Sequence, residues 1–262
     1  MTLSAQKVSV RDGMFDVTVY RGGSGEPLVF LHAAGAPRPE APIFGLLAQK
    51  YDLILPVHPG WPGSDGLENI DDVVDMATYY ADLFDAMGLD SVHLLGSSTG
   101  GMFAAEIAAL SPQYVRKLVL HSPSGLWLDE HPTLDVFAAP RDVMMKALYV
   151  EPEKVLASLP QIDPQDEEAT RQATLNRTQS QAAASKFLWP IPDKGLKRRI
   201  HRIKAPTLLV WGDQDGLTPP AYAPLWQNLI PGSELITIPG TAHDPLTEKP
   251  VEFFDAVSAF LG

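Results

Sequence analysis

The most informative stretch of the sequence is VHLLGSSTGG, which occupies residues 92–101 and leads directly into an alanine-rich segment. It starts with the apolar residues of a short buried strand and ends with residues that favour the start of a helix. Between them lies a Gly-x-Ser-x-Gly pattern centred on Ser98. A sharp strand-to-helix turn projects the central hydroxyl and crowds the residues two positions before and after it. Glycines at these two positions, 96 and 100, relieve the crowding, so the stretch predicts a nucleophilic serine at 98.

Ser97 is the alternative nucleophile in this stretch. If the pattern were centred on Ser97, Leu95 and Thr99 would stand where the turn needs small residues. We therefore favour Ser98.

On both sides of this stretch, short apolar runs alternate with helix-like segments, which is typical of a mostly parallel sheet covered by helices. The predicted strands are residues 28–31, 53–57, 92–95, 118–120, 207–211 and 235–238, after an opening hairpin of 8–10 and 14–20. Because the later runs do not alternate with polar residues, they predict strands buried on both faces. The predicted helices are residues 70–87, 98–110 and 250–261, the last with Val251, Phe254 and Val257 on its apolar stripe.

Residues 126–202 interrupt this alternation. They contain helical stretches separated by prolines, and no convincing strand. We interpret them as a helical cap inserted between two parts of one core, residues 1–125 and 203–262, where an insertion encloses a site without disturbing the sheet. The segment closes with basic residues, which we interpret as a solvated helix face in preference to an anion site. These residues are Lys194, Lys197, Arg198, Arg199, Arg202 and Lys204.

A serine nucleophile needs a base to take its proton and a carboxylate to orient that base. Of the seven histidines, His243 follows the last predicted strand and precedes the terminal helix. Its loop is expected at the carboxyl edge of the sheet, together with Ser98. Two candidate carboxylates, Asp213 and Asp215, follow the strand at 207–211. The chain order of serine, aspartate and histidine is that of the α/β-hydrolase arrangement.

The whole chain outside the cap resembles the α/β-hydrolase superfamily. The matching pieces are residues 27–32, the loop 59–64, the Ser98 turn, the Trp211-Gly212-x-x-Asp215 pattern, and His243 followed by Glu248-x-Pro250. The resemblance implies an α/β-hydrolase fold, a mostly parallel central sheet with helices on both faces and a helical cap. It also favours Asp215 over Asp213 as the acid, since the family places the acid three residues after the glycine.

The resemblance also implies an oxyanion hole made by two backbone amides, those of Thr99 and Ala34. His32 would be structural, and His58 would lie in a loop that shapes the pocket rim. The family usually has glycine where this chain has Ala33. Strain or reduced access at this position would narrow the oxyanion hole, so the assignment of Ala34 is weaker than that of Thr99.

These residues predict a cofactor-free serine hydrolase that acts on small or medium esters through an acyl-enzyme. Alternatives on the same triad are a C–C bond hydrolase, a lactonase or a perhydrolase. Asp244 modestly disfavours the C–C hydrolase, because relatives of that kind tend to have tryptophan directly after the catalytic histidine. Serine at 98 argues against dehalogenases and epoxide hydrolases, which form an ester through a carboxylate. An alternative of another class is a non-catalytic ligand receptor or scaffold.

The remaining candidate residues favour packing roles over chemistry. His121 is expected to be packed or solvated, and the aromatic residues Trp127, Phe187 and Trp189 are expected in the core more than at a pocket. Residues 129–131 resemble a metal cluster only superficially, because adjacent side chains diverge on a helix and no matching ligand pair appears elsewhere. We therefore predict no metal and no bound cofactor.

The composition limits the remaining function classes. The chain has 262 residues and no cysteine, which excludes thiol catalysis, disulfides and thiolate metal sites. Its 20 basic and 32 acidic residues give a net charge of −12, so nucleic acid is an unfavourable partner. No apolar run reaches the length of a membrane span or of the central part of a signal peptide, and we expect a cytoplasmic protein without a membrane partner. The oligomeric state is left open.

Overall fold

Eight strands form one sheet within residues 3–191 and 193–262, the part of the chain that the computed structural model describes. In chain order they are β1 (Ser4–Val10), β2 (Phe15–Gly23), β3 (Pro27–Leu31), β4 (Asp52–Pro56), β5 (Val92–Ser97), β6 (Val115–His121), β7 (Thr207–Gly212) and β8 (Glu234–Ile238). Their order across the sheet is β1-β2-β4-β3-β5-β6-β7-β8. The β1–β2 and β2–β4 pairs are antiparallel, and the other five pairs are parallel.

Helices connect the strands and cover both faces of the sheet. They are α1 (Pro42–Leu47), α2 (Val73–Ala86), α3 (Thr99–Leu110), α4 (Arg141–Leu148), α5 (Pro152–Ser158), α6 (Glu167–Leu188), α7 (Tyr222–Leu229), α8 (Pro245–Glu248) and α9 (Pro250–Leu261). The predicted fold, a mostly parallel sheet between two helical layers, is confirmed.

Side chains of β3 show how the sheet divides the core. Leu28 and Phe30 belong to the cluster under α1 and α9, whereas Val29 and Leu31 belong to the cluster under α2, α3 and α7. Successive side chains of a strand point to opposite faces, so an unbroken apolar run supplies both clusters at once. This explains why the central runs of the sequence show no alternation.

The last strand differs from the prediction. Because β8 lies at the edge of the sheet, it is covered less well than the central strands, and Glu234 and Thr237 are exposed. The expectation of burial on both faces is therefore wrong for residues 235–238, although the strand itself is present.

Two helix predictions need correction. The first predicted helix begins at Val73 instead of residue 70, because the Asp72 carboxylate accepts hydrogen bonds from the amides of Val74 (2.7 Å) and Asp75 (3.0 Å) and caps the helix there. In α9 the buried stripe is Phe253, Val257 and Leu261, which are four residues apart, whereas the predicted stripe residue Val251 is 54% exposed.

Residues 126–202 contain α4, α5 and α6 and no strand in the part that the structure describes; Pro192, one of the predicted breakers, lies outside the described residues. The basic cluster does not form a helix face. Lys197, Arg198 and Arg202 lie on two short 3-10 turns, Leu196–Arg198 and Ile200–Arg202. Between these turns, Arg199 donates two hydrogen bonds to the buried carboxylate of Glu106 (2.6 and 2.7 Å).

Candidate active site

Ser98 occupies the tight turn between β5 and α3. Its backbone has φ +53° and ψ −112°, a conformation that a non-glycine residue adopts only when the surroundings enforce it. A side chain on Gly96 would collide with the backbone of Gly100, and one on Gly100 would collide with the backbone of Leu31 and His32. Both glycines of the pattern are therefore needed for α3 to approach the sheet this closely.

Hydrogen bonds to the end of β6, to the residues that follow it and to α3 fix the backbone around Ser98. Its amide donates to the carbonyl of His121 (2.9 Å), and its own carbonyl accepts from Met102 (3.1 Å) and Ser124 (3.0 Å). Ser97, the alternative nucleophile, instead forms a hydrogen bond with Nδ1 of His121 (2.9 Å). The two neighbouring serines thus have different surroundings, and Ser97 is engaged with a histidine other than His243.

His243 lies in the loop between β8 and α8, and its Nδ1 lies 2.9 and 3.0 Å from the two carboxylate oxygens of Asp215. Asp215 Oδ1 also accepts hydrogen bonds from the amides of Leu217 (2.9 Å) and Thr218 (2.8 Å). Burial alone raises the pKa of the Asp215 carboxyl, but the charge and N–H of His243 and the amide of Thr218 lower that pKa by more. The carboxylate is therefore ionised and holds the imidazole by its Nδ1–H.

Asp213 has a different contact. Its Oδ1 accepts hydrogen bonds from the amides of Gly240 (2.7 Å) and Thr241 (3.3 Å), so it fastens the β8–α8 loop. A side chain on Gly212 would collide with the carbonyl of Ala242, which shows how closely this loop approaches the end of β7. Of the two candidate carboxylates, the structure brings Asp215 to His243.

Ser98 and His243 line one cavity of about 580 Å³. Among the described residues, Nε2 of His243 is buried and has no hydrogen-bond partner. The serine hydroxyl and the imidazole therefore share the cavity without a hydrogen bond between them.

The amides of Thr99 and Ala34 belong to residues that line the same cavity. Thr99 is the first residue of α3, so its N–H has no partner within the helix. In the described turns and loops, Ala34 N–H donates to no backbone carbonyl. Ala33 does not have a positive φ, so alanine in place of the usual glycine causes no left-handed backbone strain.

Hydrogen bonds that the sequence did not reveal hold the Ala34 loop. His58 is fully buried, where its Nδ1 meets the hydroxyl of Tyr80 and its Nε2 meets the carbonyl of His32 (2.9 Å). His58 N–H donates to Nε2 of His32 (3.1 Å), and Trp61 Nε1 donates to the carbonyl of Ala34 (2.7 Å). These contacts agree with a structural role for His58, which is not among the residues that line the cavity.

Glu248 supports the His243 loop from the other side. Its two carboxylate oxygens accept hydrogen bonds from the amides of Ala242 and Val150, both 2.7 Å. The Glu248-x-Pro250 pattern signalled this residue but gave no role for it. The predicted packing role of His121 agrees with its burial beside His243, with 5.9 Å between the two ring centres.

The aromatic residues between β6 and β7 divide between core and surface. Phe187 packs on Phe103, with 5.1 Å between ring centres, and lines the cavity. Trp189 is 55% exposed, so the expectation that it lies in the core is wrong.

The described residues contain no group of three histidine, aspartate or glutamate side chains arranged to hold a metal ion. In the same part of the chain, no helix combines the length and apolar character needed to cross a membrane.

Comparison with known proteins places this chain among hydrolases. Lipase 3 of Moraxella sp. (strain TA144) is 27% identical over 259 residues, which cover 90% of this chain and 78% of the lipase. The 2-hydroxy-6-oxononadienedioate/2-hydroxy-6-oxononatrienedioate hydrolase of Klebsiella pneumoniae subsp. pneumoniae is 30% identical over 266 residues, which cover 92% and 88% of the two chains.

The crystal structure of a membrane phospholipase A, a bacterial virulence factor, has a TM-score of 0.81 at 24% identity and shares the fold over 99% of this chain and 86% of that chain. Residues 28–256 match the Alpha/beta hydrolase family, to which this chain therefore belongs.

Proposed function

We propose that this protein is a serine hydrolase that cleaves small or medium carboxylic esters with Ser98, His243 and Asp215. The observation that carries the proposal is the buried His243–Asp215 pair, whose Nε2 has no hydrogen-bond partner among the described residues, together with the cavity that both His243 and Ser98 line. The Ser98–His243 hydrogen bond is not formed in this structure and requires a movement of at least one of the two side chains. Such bonds often tighten only when substrate binds.

The reaction begins when Ser98 Oγ attacks the acyl carbon and its proton passes to His243 Nε2. The carbonyl π electrons move to oxygen, and the amides of Thr99 and Ala34 stabilise the resulting oxyanion. The carboxylate of Asp215 stabilises the imidazolium that forms at His243 and remains ionised itself.

The tetrahedral intermediate then collapses. The bond from the acyl carbon to the alcohol oxygen breaks, and His243 returns its proton to that oxygen, which leaves an acyl group on Ser98. A water molecule gives a proton to His243 Nε2 and attacks the acyl carbon. The bond from the acyl carbon to Ser98 Oγ then breaks, and His243 returns the proton to Oγ, which releases the carboxylic acid and restores Ser98.

Residues 126–202 are proposed to cap this site. Side chains from α4 and α6, among them Met144, Ser180 and Phe187, line the cavity opposite the Ser98 turn. An insertion in this position excludes bulk water and selects the acyl or alcohol part of the substrate. Cytoplasmic residence remains a prediction from the sequence.

C–C bond hydrolysis is a second candidate, because the Klebsiella relative is named for a 2-hydroxy-6-oxo dienedioate substrate. In this chain Asp244 follows His243 and caps α8 through the amide and hydroxyl of Thr247 (3.3 and 2.7 Å). Comparing kcat/KM for p-nitrophenyl esters with kcat/KM for a vinylogous diketone separates the two reactions. Ester hydrolysis is expected to be the faster.

The nucleophile is tested with a fluorophosphonate probe, which labels activated serines. Wild-type protein and the Ser97→Ala variant are expected to be labelled and to hydrolyse p-nitrophenyl esters, whereas Ser98→Ala loses both properties. Absence of labelling in folded wild-type protein would support the alternative of a receptor or scaffold. Labelling that survives Ser98→Ala would contradict the assignment of the nucleophile.

A further inference from the structure

The charged side chains of the catalytic cavity are mostly positive, although the whole chain carries −12. Arg38, Arg177 and Lys194 contribute to its wall, and Asp244 is the one acidic residue of the described lining. The Asp244 carboxylate is already engaged by the Thr247 hydroxyl (2.7 Å), with the Tyr149 hydroxyl at 3.3 Å. The cavity therefore has an excess of cations without matching carboxylates.

Lys194 is a cation of this cavity wall that has no carboxylate partner among the described residues. It is half-buried, and its recorded polar contact is the carbonyl of Pro190. No carboxylate of the described chain lies within 4 Å of its ammonium group. The neighbouring Asp193 instead pairs with Lys197 at 3.3 Å and accepts from the amide of Gly195.

Glu106, the other carboxylate of this region, is fully buried and bound by Arg199 at 2.6 Å. Arg199 also donates to the backbone carbonyl of Lys194 (3.2 Å), which fixes the Lys194 backbone next to the cavity. Both carboxylates of this region are thus held by other cations, and the cavity that Lys194 lines also has apolar residues in its wall, among them Met102, Leu126 and Phe187.

Partial burial without a counter-charge disfavours an ammonium ion, and it lowers the pKa of Lys194. A bound anion would offset this cost, because the attraction between two charges is stronger where water is displaced. A neutral ligand would leave the ammonium group without a counter-charge. The cavity is therefore complementary to a ligand that is mostly apolar and carries one negative group.

We propose that Lys194 is a specificity-determining residue that binds a carboxylate on the substrate, so that the enzyme prefers monoanionic esters to neutral esters of the same length. This inference rests on the proposed ester hydrolysis at Ser98. Arg38 and Arg177 add positive potential along the cavity wall and favour the same ligands.

Two matched ester pairs test the preference. Mono-p-nitrophenyl adipate is compared with p-nitrophenyl hexanoate, which places the charge in the acyl part. The butyrate ester of 5-hydroxypentanoate is compared with pentyl butyrate, which places it in the alcohol part. In at least one pair, the ratio of kcat/KM for the anionic ester to that for the neutral ester is expected to fall by about tenfold or more in Lys194→Met, since one charge contact of about 1.4 kcal/mol corresponds to a factor of ten.

Lys194→Arg is expected to restore most of the ratio, because it keeps the charge. The matched control is Lys197→Met, which removes a cation of the same region whose side chain is exposed and does not line the cavity. Its ratio is expected to equal that of the wild type. If Lys194→Met left both ratios unchanged, the inference would be overturned.

A binding measurement separates this inference from the proposed reaction. In the Ser98→Ala background, calorimetry compares monomethyl adipate, a monoanion, with dimethyl adipate, which is neutral. The monoanion is expected to bind at least about tenfold more tightly, and Lys194→Met should remove most of the difference. Equal affinities for the two ligands would overturn the inference whether or not the wild-type protein hydrolyses esters.

Discussion

At the scale of single residues, the position of a carboxylate relative to His243 decides its role. Asp213 and Asp215 follow the same strand, and the sequence alone leaves both open because it does not specify which way the chain turns after β7. The family resemblance favoured Asp215. In the structure Asp215 contacts the imidazole Nδ1, whereas Asp213 contacts the amides of the facing loop.

Replacing Asp215 by asparagine is expected to lower kcat for ester hydrolysis by about 10³–10⁴-fold, because an amide cannot hold the required tautomer or stabilise the imidazolium. Asp213→Asn is the matched control, because it alters only the contact of Asp213 with the β8–α8 loop. Its kcat should fall far less than that of Asp215→Asn. The measurement is kcat with a p-nitrophenyl ester at saturating concentration. Equal losses in the two variants would contradict the assigned roles.

At the scale of secondary-structure elements, the turn between β5 and α3 was predictable because its requirement is local. Two glycines and a strained serine lie within five residues, and the resulting crowding can be read from the sequence. Contacts between distant elements were not predictable in this way. The hydrogen bonds that link Tyr80 on α2 to His58 and His32 join segments whose spacing carries no pattern.

Gly100→Ala is expected to lower the free energy of unfolding by about 2–4 kcal/mol, because the new Cβ would overlap the backbone at the end of β3. Urea unfolding measures the change. The control is Gly35→Ala, where no atom lies within 4 Å of the added Cβ and the expected change is within about 0.5 kcal/mol. A loss at position 100 no larger than the loss at position 35 would show that the turn does not need this close approach.

The ion pair between Glu106 and Arg199 connects α3 with the segment that follows α6, 93 residues away. Arg199→Met leaves a carboxylate buried without its partner and is expected to lower the free energy of unfolding by about 3–5 kcal/mol. Adding Glu106→Leu removes the stranded charge, so the double variant should be more stable than Arg199→Met alone. Urea unfolding of both variants measures this, and a double variant as unstable as the single one would contradict the explanation.

At the scale of the whole molecule, burial determines which histidines stay neutral, and composition alone does not reveal this. The sequence contains seven histidines but does not show which of them are excluded from water. In the structure five of them are buried, whereas His131 and His201 are exposed; the buried ones are His32, His58, His93, His121 and His243. Three of these buried rings, those of His32, His58 and His121, have a pKa that burial lowers far below its ordinary value, so folding favours their neutral form.

Burial lowers the pKa of His32 to about 4 and that of His121 to about 3, and burial together with the charge of His32 places the pKa of His58 well below its ordinary value of 6.5. Between about pH 4 and 6.5 the unfolded chain binds more protons than the folded one, so the free energy of unfolding rises with pH. Each ring contributes up to about 1.4 kcal/mol per pH unit to the slope of the unfolding free energy in this window. For His32 alone, acidification from neutral pH to below pH 4 lowers the free energy of unfolding by about 3 kcal/mol.

We therefore expect the free energy of unfolding, measured with urea, to fall steeply as the pH is lowered from 6.5 to 4. Asp215 adds little within this window, because its lowered pKa makes its contribution disappear only at still lower pH. His121→Asn removes one titrating ring and should reduce the slope by about one proton, even if it also lowers the stability at neutral pH. His201→Gln removes an exposed ring and should leave the slope unchanged, so equal slopes in the two variants would contradict the role of burial.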